Sequence, residues 1–161
     1  MALVYKTGSI FDSNCQTLVN TVNCQGVMGK GLAKQFKQFF PTMYYSYVEE
    51  CKHGTSLKHG GDLWVYSYEN TSQMTLWEDL DPNCRSKILC FATKEHWKNK
   101  SHYQWIIRGL HEFRRRYKEW GITSVAFPKL GCTNGGLSWN TVKQIMEDVL
   151  SELDIPVEIY V

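Results

Sequence analysis

Val19-Asn20-Thr21-Val22-Asn23-Cys24-Gln25-Gly26-Val27-Met28-Gly29-Lys30-Gly31-Leu32-Ala33 reads as a buried strand ending in two asparagines, a glycine loop and the start of a helix. Leu18 to Val22 is short, apolar and β-branched, as a buried strand should be. Gly26, Gly29 and Gly31 permit positive φ and close approach of the backbone. Beyond them Leu32, Phe36, Phe39 and Phe40 recur at helical spacing. A strand, a glycine loop and a helix N-terminus together make an anion site, because free N–H groups and the positive end of the helix dipole face the ligand. The plain alternative is a tight turn with no ligand, and glycine density alone does not separate the two. The stretch is neither a Walker loop nor a dinucleotide fingerprint, since no Gly-Lys-Ser/Thr follows and the GxGxxG spacing is absent.

The chain has 161 residues, 43% apolar and 21% charged, which suits one domain over residues 1–161 with a sizeable core. A net charge of +2 does not define a dedicated nucleic-acid binder, and does not exclude contact with a polyanion. No apolar run approaches a membrane span and the N-terminus lacks a signal-peptide core, so a cytoplasmic location without membrane contact is expected. Cys15, Cys24, Cys51, Cys84, Cys90 and Cys132 are scattered without metal-ligand spacing. They read as reduced and mostly buried, with no metal expected.

Outward from the opening stretch, Leu3 to Tyr5 reads as a first strand and Thr42 as the cap of a second helix running through Glu50. Asp62 to Tyr68 alternates as a strand, Met74 to Trp77 reads as a short strand and Glu78 to Arg85 as a loop. Lys87 to Thr93 is a buried strand. Ser101 with Gln104 three residues on predicts a capping box for a long helix with the stripe Tyr103, Ile106, Ile107, Leu110, Phe113 and Tyr117. Ser124 to Phe127 is another strand, and Ser138 can cap a last helix with the stripe Val142, Ile145, Met146, Val149, Leu150 and Leu153. Pro156 to Val161 closes the chain as a strand. Alternating strands and helices predict an α/β fold whose sheet is largely parallel or mixed and covered on both faces.

Ligands of such folds bind beyond the carboxyl ends of the strands. Residues 24–31, 94–100 and 130–137 would meet there, and the first and last are rich in glycine and free N–H groups, suited to a diphosphate. Lys94 follows a buried strand directly. Partial desolvation there lowers an amine's pKa and frees it for nucleophilic or acid–base work, against the commoner case of a plain surface lysine. Asn23 can donate to and accept from a sugar hydroxyl, or merely cap the loop backbone. His96 is polar surface or a proton shuttle; Trp97 is a stacking platform for a ring or packing under the loop. The spacing supports no Ser-His-Asp arrangement or carboxylate pair, so either few side chains carry the chemistry or the domain only binds.

These residues resemble a known family. Asn20-Thr21-Val22-Asn23 with Gly26-Val27-Met28-Gly29-Lys30-Gly31 is similar to the first signature of macro domains, which bind ADP-ribose. Pro128 to Trp139, PKLGCTNGGLSW, resembles the second. Phe91 to Trp97, FATKEHW, with Ser101 after it, is similar to the DNA ADP-ribosyl glycohydrolase antitoxins (DarG) and to their glutamate-directed relatives. The likeness spans essentially the whole chain.

The resemblance implies a three-layer α/β/α macro domain with a mixed, largely parallel central sheet. It implies that Gly26, Val27, Met28, Gly29, Lys30, Gly31 and Leu32 cradle the diphosphate and that Ser9 and Ile10 face the adenosine. Asn23 matches the ribose-contacting asparagine, and Asn20, Thr93 and His96 are expected to bind the substrate as well. Leu130, Gly131, Cys132, Thr133, Asn134, Gly135, Gly136 and Leu137 then surround the distal ribose and phosphates. Lys94 matches the essential lysine, acting with Asn23 at the distal ribose C1 by attack or by stabilising the opened sugar. ADP-ribose is ligand or product, no cofactor is implied, and the expected substrate is ADP-ribosylated single-stranded DNA, linked through thymine, handled by a monomer. Alternatives are a non-catalytic ADP-ribose reader, or a hydrolase of protein-linked or metabolite ADP-ribose derivatives. Ser9 stands where most macro domains carry an aspartate for adenine, which implies weaker adenine affinity. Gly135 stands where the glutamate-directed relatives carry an aspartate, which favours the DNA branch. The antitoxins have a further C-terminal domain that engages the toxin, whereas this sequence ends at Val161, which makes a toxin partner doubtful.

Overall fold

Strand by strand, the sheet sorts its side chains to two layers. The computed structural model describes residues 3–68 and 86–161. Its elements are β1 (Leu3–Lys6), a 3₁₀ turn (Ile10–Asp12), β2 (Thr17–Val22), α1 (Gly31–Phe39), α2 (Pro41–His53), β3 (Leu63–Ser67), β4 (Lys87–Ala92), α3 (Tyr103–Arg116), β5 (Val125–Phe127), α4 (Trp139–Leu150) and β6 (Val157–Tyr160). The six strands form one sheet in the order β1-β6-β5-β2-β4-β3. Every pairing is parallel except β3 on β4. On β2, Val19 faces a core shared with Ile106, Leu110 and Phe113 of α3 and Val142 and Met146 of α4. Leu18 and Val22 face the opposite core, shared with Phe36 of α1 and Met43 and Tyr47 of α2. This is a three-layer α/β/α fold, and the period-2 alternation of buried side chains creates it.

The two strand lengths that matter for a ligand are those of β2 and β5. Leu18 lies opposite Ala126, and β5 stops one residue later, whereas β2 runs on to Val22. The upper part of β2 therefore has no neighbour on its β5 side, and a gap opens beside Thr21 and Val22.

The structure differs from the sequence expectations at the helix starts. Helix α2 begins at Pro41, whose fixed φ suits the first helical position, rather than being capped by Thr42. The capping box at Ser101 does not form. The N-cap position of α3 is His102, and the Ser101 N–H donates instead to the Gly135 carbonyl at 3.0 Å. Ser138 occupies the N-cap position of α4, but its side chain makes no capping bond. Phe39 is 55% exposed and leans on Phe11, so it lies outside the buried stripe of α1. Gly26 and Gly31 adopt positive φ, but Gly29 does not. The strand expected at Met74–Trp77 and the loop at Glu78–Arg85 lie outside the described residues, as does Cys84. Cys15, Cys24 and Cys90 are buried free thiols, and Cys51 and Cys132 are half-buried ones. No helix among the described residues is long and apolar enough to cross a membrane.

Helix α3 sits close on the sheet because Gly109 has no side chain. A Cβ there would lie 2.2 Å from Cζ of Phe91, which is fully buried. Alanine's better helix propensity offers at most about 1 kcal/mol. Overpacking against a ring that cannot move costs about 1–3 kcal/mol. Gly109→Ala is therefore expected to lower the urea unfolding midpoint, and an unchanged or raised midpoint would show that the helix can lift off Phe91 freely.

Candidate functional site

The loop after β2 is organised by one side chain. Asn23 Oδ1 accepts from the Gln25 N–H at 2.9 Å and the Val27 N–H at 3.4 Å, while Asn23 Nδ2 donates to the Val27 carbonyl at 2.8 Å. Gly26, at φ +80°, passes against Val48 and Cys51 of α2. Gly31, at φ +54°, opens α1, and no side chain caps that end. The first-turn N–H groups and the positive end of the helix dipole are thus presented at the gap beside β2, which is the geometry of an anion site.

The loop after β4 is stitched to the first one. Thr93 and Lys94 donate their N–H groups to the Val22 carbonyl at 3.1 and 3.3 Å, and the Cys24 N–H donates to the Glu95 carbonyl at 3.0 Å. Lys94 Nζ donates to the Trp97 carbonyl at 3.3 Å. Burial lowers the Lys94 pKa from the ordinary lysine value, and the nearby Lys30 charge lowers it further. Both effects disfavour the ammonium form.

The loop after β5 is held from beneath. Leu130 is fully buried, the Leu137 N–H donates to the Gly131 carbonyl at 3.0 Å, and Gly131 and Gly136 take positive φ. Ser101 fills the space under the loop. A Cβ at Gly135 would lie 2.2 Å from Ser101 Oγ and 2.5 Å from the Gly131 carbonyl oxygen. No side chain fits at position 135 without rebuilding the loop.

The three loops enclose a cleft of about 740 Å³. Its lining includes Ser9, Ile10 and Asn23, then Val27, Gly29, Lys30, Gly31 and Leu32 of the first loop. Thr93 and Lys94 line it from the second loop, and Gly131, Cys132, Thr133, Asn134 and Gly135 from the third. Other residues named from the sequence stand back from it. Asn20 is fully buried on β2 beneath Met28, whose sulfur lies 3.7 Å from its Nδ2. Met28 and Leu130 are core residues, and Gly26 turns toward α2. His96, Gly136 and Leu137 also lie outside the lining; His96 Nδ1 accepts from the Lys98 N–H at 3.1 Å. Ser9 lines the cleft, but its hydroxyl accepts from the Phe11 N–H at 3.1 Å and so caps the 3₁₀ turn.

Sequence reading did not single out Gly8, Gln35, Tyr160 or Val161, which also line the cleft. Tyr160 and Val161 were legible in principle, because β6 runs parallel to β5 and must end at the same edge. Among the described lining residues there is no aspartate, glutamate or histidine, while Lys30, Lys94 and Lys129 all contribute. Among the described residues no cluster of three or more His, Cys, Asp or Glu side chains could hold a metal ion.

The cleft beyond the carboxyl ends of a parallel sheet, floored by a helix N-terminus and two glycine loops, is the site architecture of a macro domain. The macro domain family model matches residues 19–146, and the chain belongs to the macro domain family. It is 42% identical over 157 residues to a DNA ADP-ribosyl transferase–DNA ADP-ribosyl glycohydrolase fusion protein of Thermosipho africanus, covering 95% of this chain and 40% of that one. The macrodomain of Mycobacterium tuberculosis DarG superposes with a TM-score of 0.84 at 37% identity, covering 98% of this chain and 96% of that chain. Thermosipho africanus DarTG in complex with ADP-ribose superposes with a TM-score of 0.83 at 40% identity, covering 97% of this chain and 41% of that one. The chain spans about 40% of the length of the DNA ADP-ribosyl glycohydrolase relatives it matches.

The lowered Lys94 pKa has two separable causes. In protein carrying ¹³C-methylated lysines, the Lys94 signal is expected to titrate below those of exposed lysines. Lys30→Gln removes a neighbouring cation, so the Lys94 midpoint should move up but stay below the others, because burial is the larger cause. A midpoint unmoved by Lys30→Gln would remove the Lys30 charge from the account.

Proposed function

We propose that the domain binds ADP-ribose and hydrolyses the bond joining it to a nucleic-acid base, with thymine in single-stranded DNA as the target. The observation that carries this reading is Lys94. An amine with a lowered pKa lines an anion cradle whose described lining offers no aspartate, glutamate or histidine side chain to serve as acid or base. The helix α1 N-terminus and the glycine loops suit the diphosphate. Asn23 and Lys94 stand side by side at the ends of adjacent strands, where the distal ribose would lie. Lys94 acts at C1 of that ribose, by attack of the neutral amine or by stabilising the opened sugar, and water takes the place of the released target.

The mouth of the cleft fits a nucleic-acid target. Trp97 lines the cleft and is 45% exposed, with the Lys98 ammonium 5.3 Å from its ring centre. A half-exposed indole beside lysines offers a stacking surface for a base and cations for flanking phosphates. The relatives described as DNA ADP-ribosyl glycohydrolases support the same substrate class.

The test is turnover of single-stranded DNA ADP-ribosylated on thymine, with wild type beside Lys94→Ala. Wild type is expected to release ADP-ribose. Lys94→Ala should lose at least about 10³-fold in turnover while its ADP-ribose affinity stays within about threefold, because the amine acts in the transition state rather than in ground-state binding. Release at near-normal rates by Lys94→Ala would overturn the lysine mechanism. Tight ADP-ribose binding with no release by wild type would assign a reader, or a different linkage.

A further inference from the structure

The amide of Asn23 has only one orientation compatible with its surroundings. Its Oδ1 faces the N–H groups of Gln25 and Val27, and its Nδ2 faces the Val27 carbonyl. Turning the amide over would set donor against two donors and acceptor against acceptor. The polarity of backbone groups cannot change, so the assignment rests on chemistry rather than on how the atoms were named.

A third donor reaches the same oxygen from a different element. Tyr47, fully buried on α2, places its hydroxyl 3.0 Å from Asn23 Oδ1 and 2.8 Å from the Asn23 carbonyl oxygen. Both are acceptors, and both lie within reach of the single hydroxyl proton. Burial raises the Tyr47 pKa, which keeps the phenol protonated. The Cys51 side chain lies in hydrogen-bonding contact with the same hydroxyl. Cys24 and Cys90, whose thiol pKa values burial also raises, stand near Tyr47 as well.

The consequence is a polarity for the cleft. Two backbone N–H groups and the Tyr47 hydroxyl, which Oδ1 shares with the Asn23 carbonyl oxygen, face Asn23 Oδ1, and one of the two Nδ2 hydrogens goes to Val27. Asn23 is 8% exposed and lines the cleft, so its second N–H is the group left for a ligand. We infer that Tyr47 is a positioning residue that locks Asn23 as an obligate hydrogen-bond donor toward the ligand, selecting a ligand oxygen that accepts. On the ADP-ribose reading above, on which this rests, that oxygen belongs to a hydroxyl of the distal ribose. A hydroxyl that accepts from Asn23 keeps its own proton to donate elsewhere. Asn23 thus cannot serve as an acceptor for it, although its amide in isolation could do either.

Two variants test the lock, with ADP-ribose itself as the probe. Tyr47→Phe keeps the ring and removes the hydroxyl. In wild type the Asn23 side-chain N–H signals should shift on adding ADP-ribose. In Tyr47→Phe those signals should broaden or move before ligand is added, and kcat on thymine-ADP-ribosylated DNA should fall about 10-fold with KM within about twofold. Unchanged Asn23 signals and unchanged kcat would overturn the positioning role. Asn23→Asp stands independently of how Tyr47→Phe folds. Its carboxylate still accepts from the donors around Oδ1, but it loses both N–H groups, the one bonded to the Val27 carbonyl included, so its unfolding midpoint is measured beside its affinity. It should weaken ADP-ribose binding more than about 10-fold near pH 7, whereas wild-type affinity would overturn the donor assignment. A wild type that binds ADP-ribose with these signatures but releases nothing from DNA would refute the hydrolase reading and leave the lock standing. A wild type that does not bind ADP-ribose would refute both.

Discussion

The parallel register of β2 on β4 is the constraint on which the site depends. Val22 lies opposite Ala92, so the two strands end level and their loops leave side by side. The Val22 carbonyl accepts from both Thr93 and Lys94, and the Cys24 N–H returns a bond to Glu95. Asn23 and Lys94 are neighbours because of these bonds, although 71 positions separate them in the chain. A slip of one residue would carry Leu18 and Val22 from the α1/α2 layer to the other face and part Asn23 from Lys94. The apolar sorting that stabilises the sheet and the placing of the polar pair are therefore the same interaction, since the register that buries β2 on both faces is the one that aligns the loops.

The second requirement is a short neighbour. β5 has three residues, and its end opposite Val19 leaves the upper edge of β2 uncovered. Pro128 and Lys129 continue past that end along the cleft before the glycine loop turns back over Ser101. The loop has to be glycine-rich because it is packed from below by a side chain. Ser101 lies too close for any Cβ at position 135. A sheet with strands of equal length would have filled the gap with backbone hydrogen bonds and left no room for a ligand.

What the sequence made legible follows from which interactions are local. The stripes on α3 and α4 and the alternation on the strands are set by solvent exclusion at fixed periods. Ile106, Leu110, Phe113 and Tyr117 are buried where the period places them, whereas Tyr103 and Ile107, expected in the same stripe, sit at its edge and are exposed. The convergence of the three loops followed from strand order within a βα alternation. The direction of the Lys94 shift followed from its place just beyond a wholly buried strand. What was hidden comes from contacts across the fold. Ser101 has the spacing of a capping box, but a tertiary bond to Gly135 takes its N–H and draws it out of the cap. Asn20 carries the same side chain as Asn23 and sits in the same signature. It lies lower on β2, beneath Met28, and its Oδ1 has no hydrogen-bond partner among the described residues. Tyr47 looks like one more apolar position on α2 until its hydroxyl is seen to reach a loop 24 positions away in sequence.

The charges in the cleft set a conflict that geometry has to resolve. An anionic ligand draws protons onto nearby amines. A unit negative charge about 8 Å from Lys94 would favour its ammonium form by roughly 2 kcal/mol at an effective dielectric of 20, which is about 1.5 pKa units. Such an anion acts against the lowering that burial and Lys30 cause. The α1 N-terminus and Lys30 stand on the first-loop side of the cleft, so a diphosphate held there is neutralised by the helix dipole and by a separate cation. Lys30 thus acts twice. Before a ligand enters, its charge adds to burial in lowering the Lys94 pKa, and with an anion present it opposes the rise that the anion would cause. The first glycine loop thus supplies both the helix N-terminus and the second lysine that offset the pull of a bound anion on the Lys94 amine.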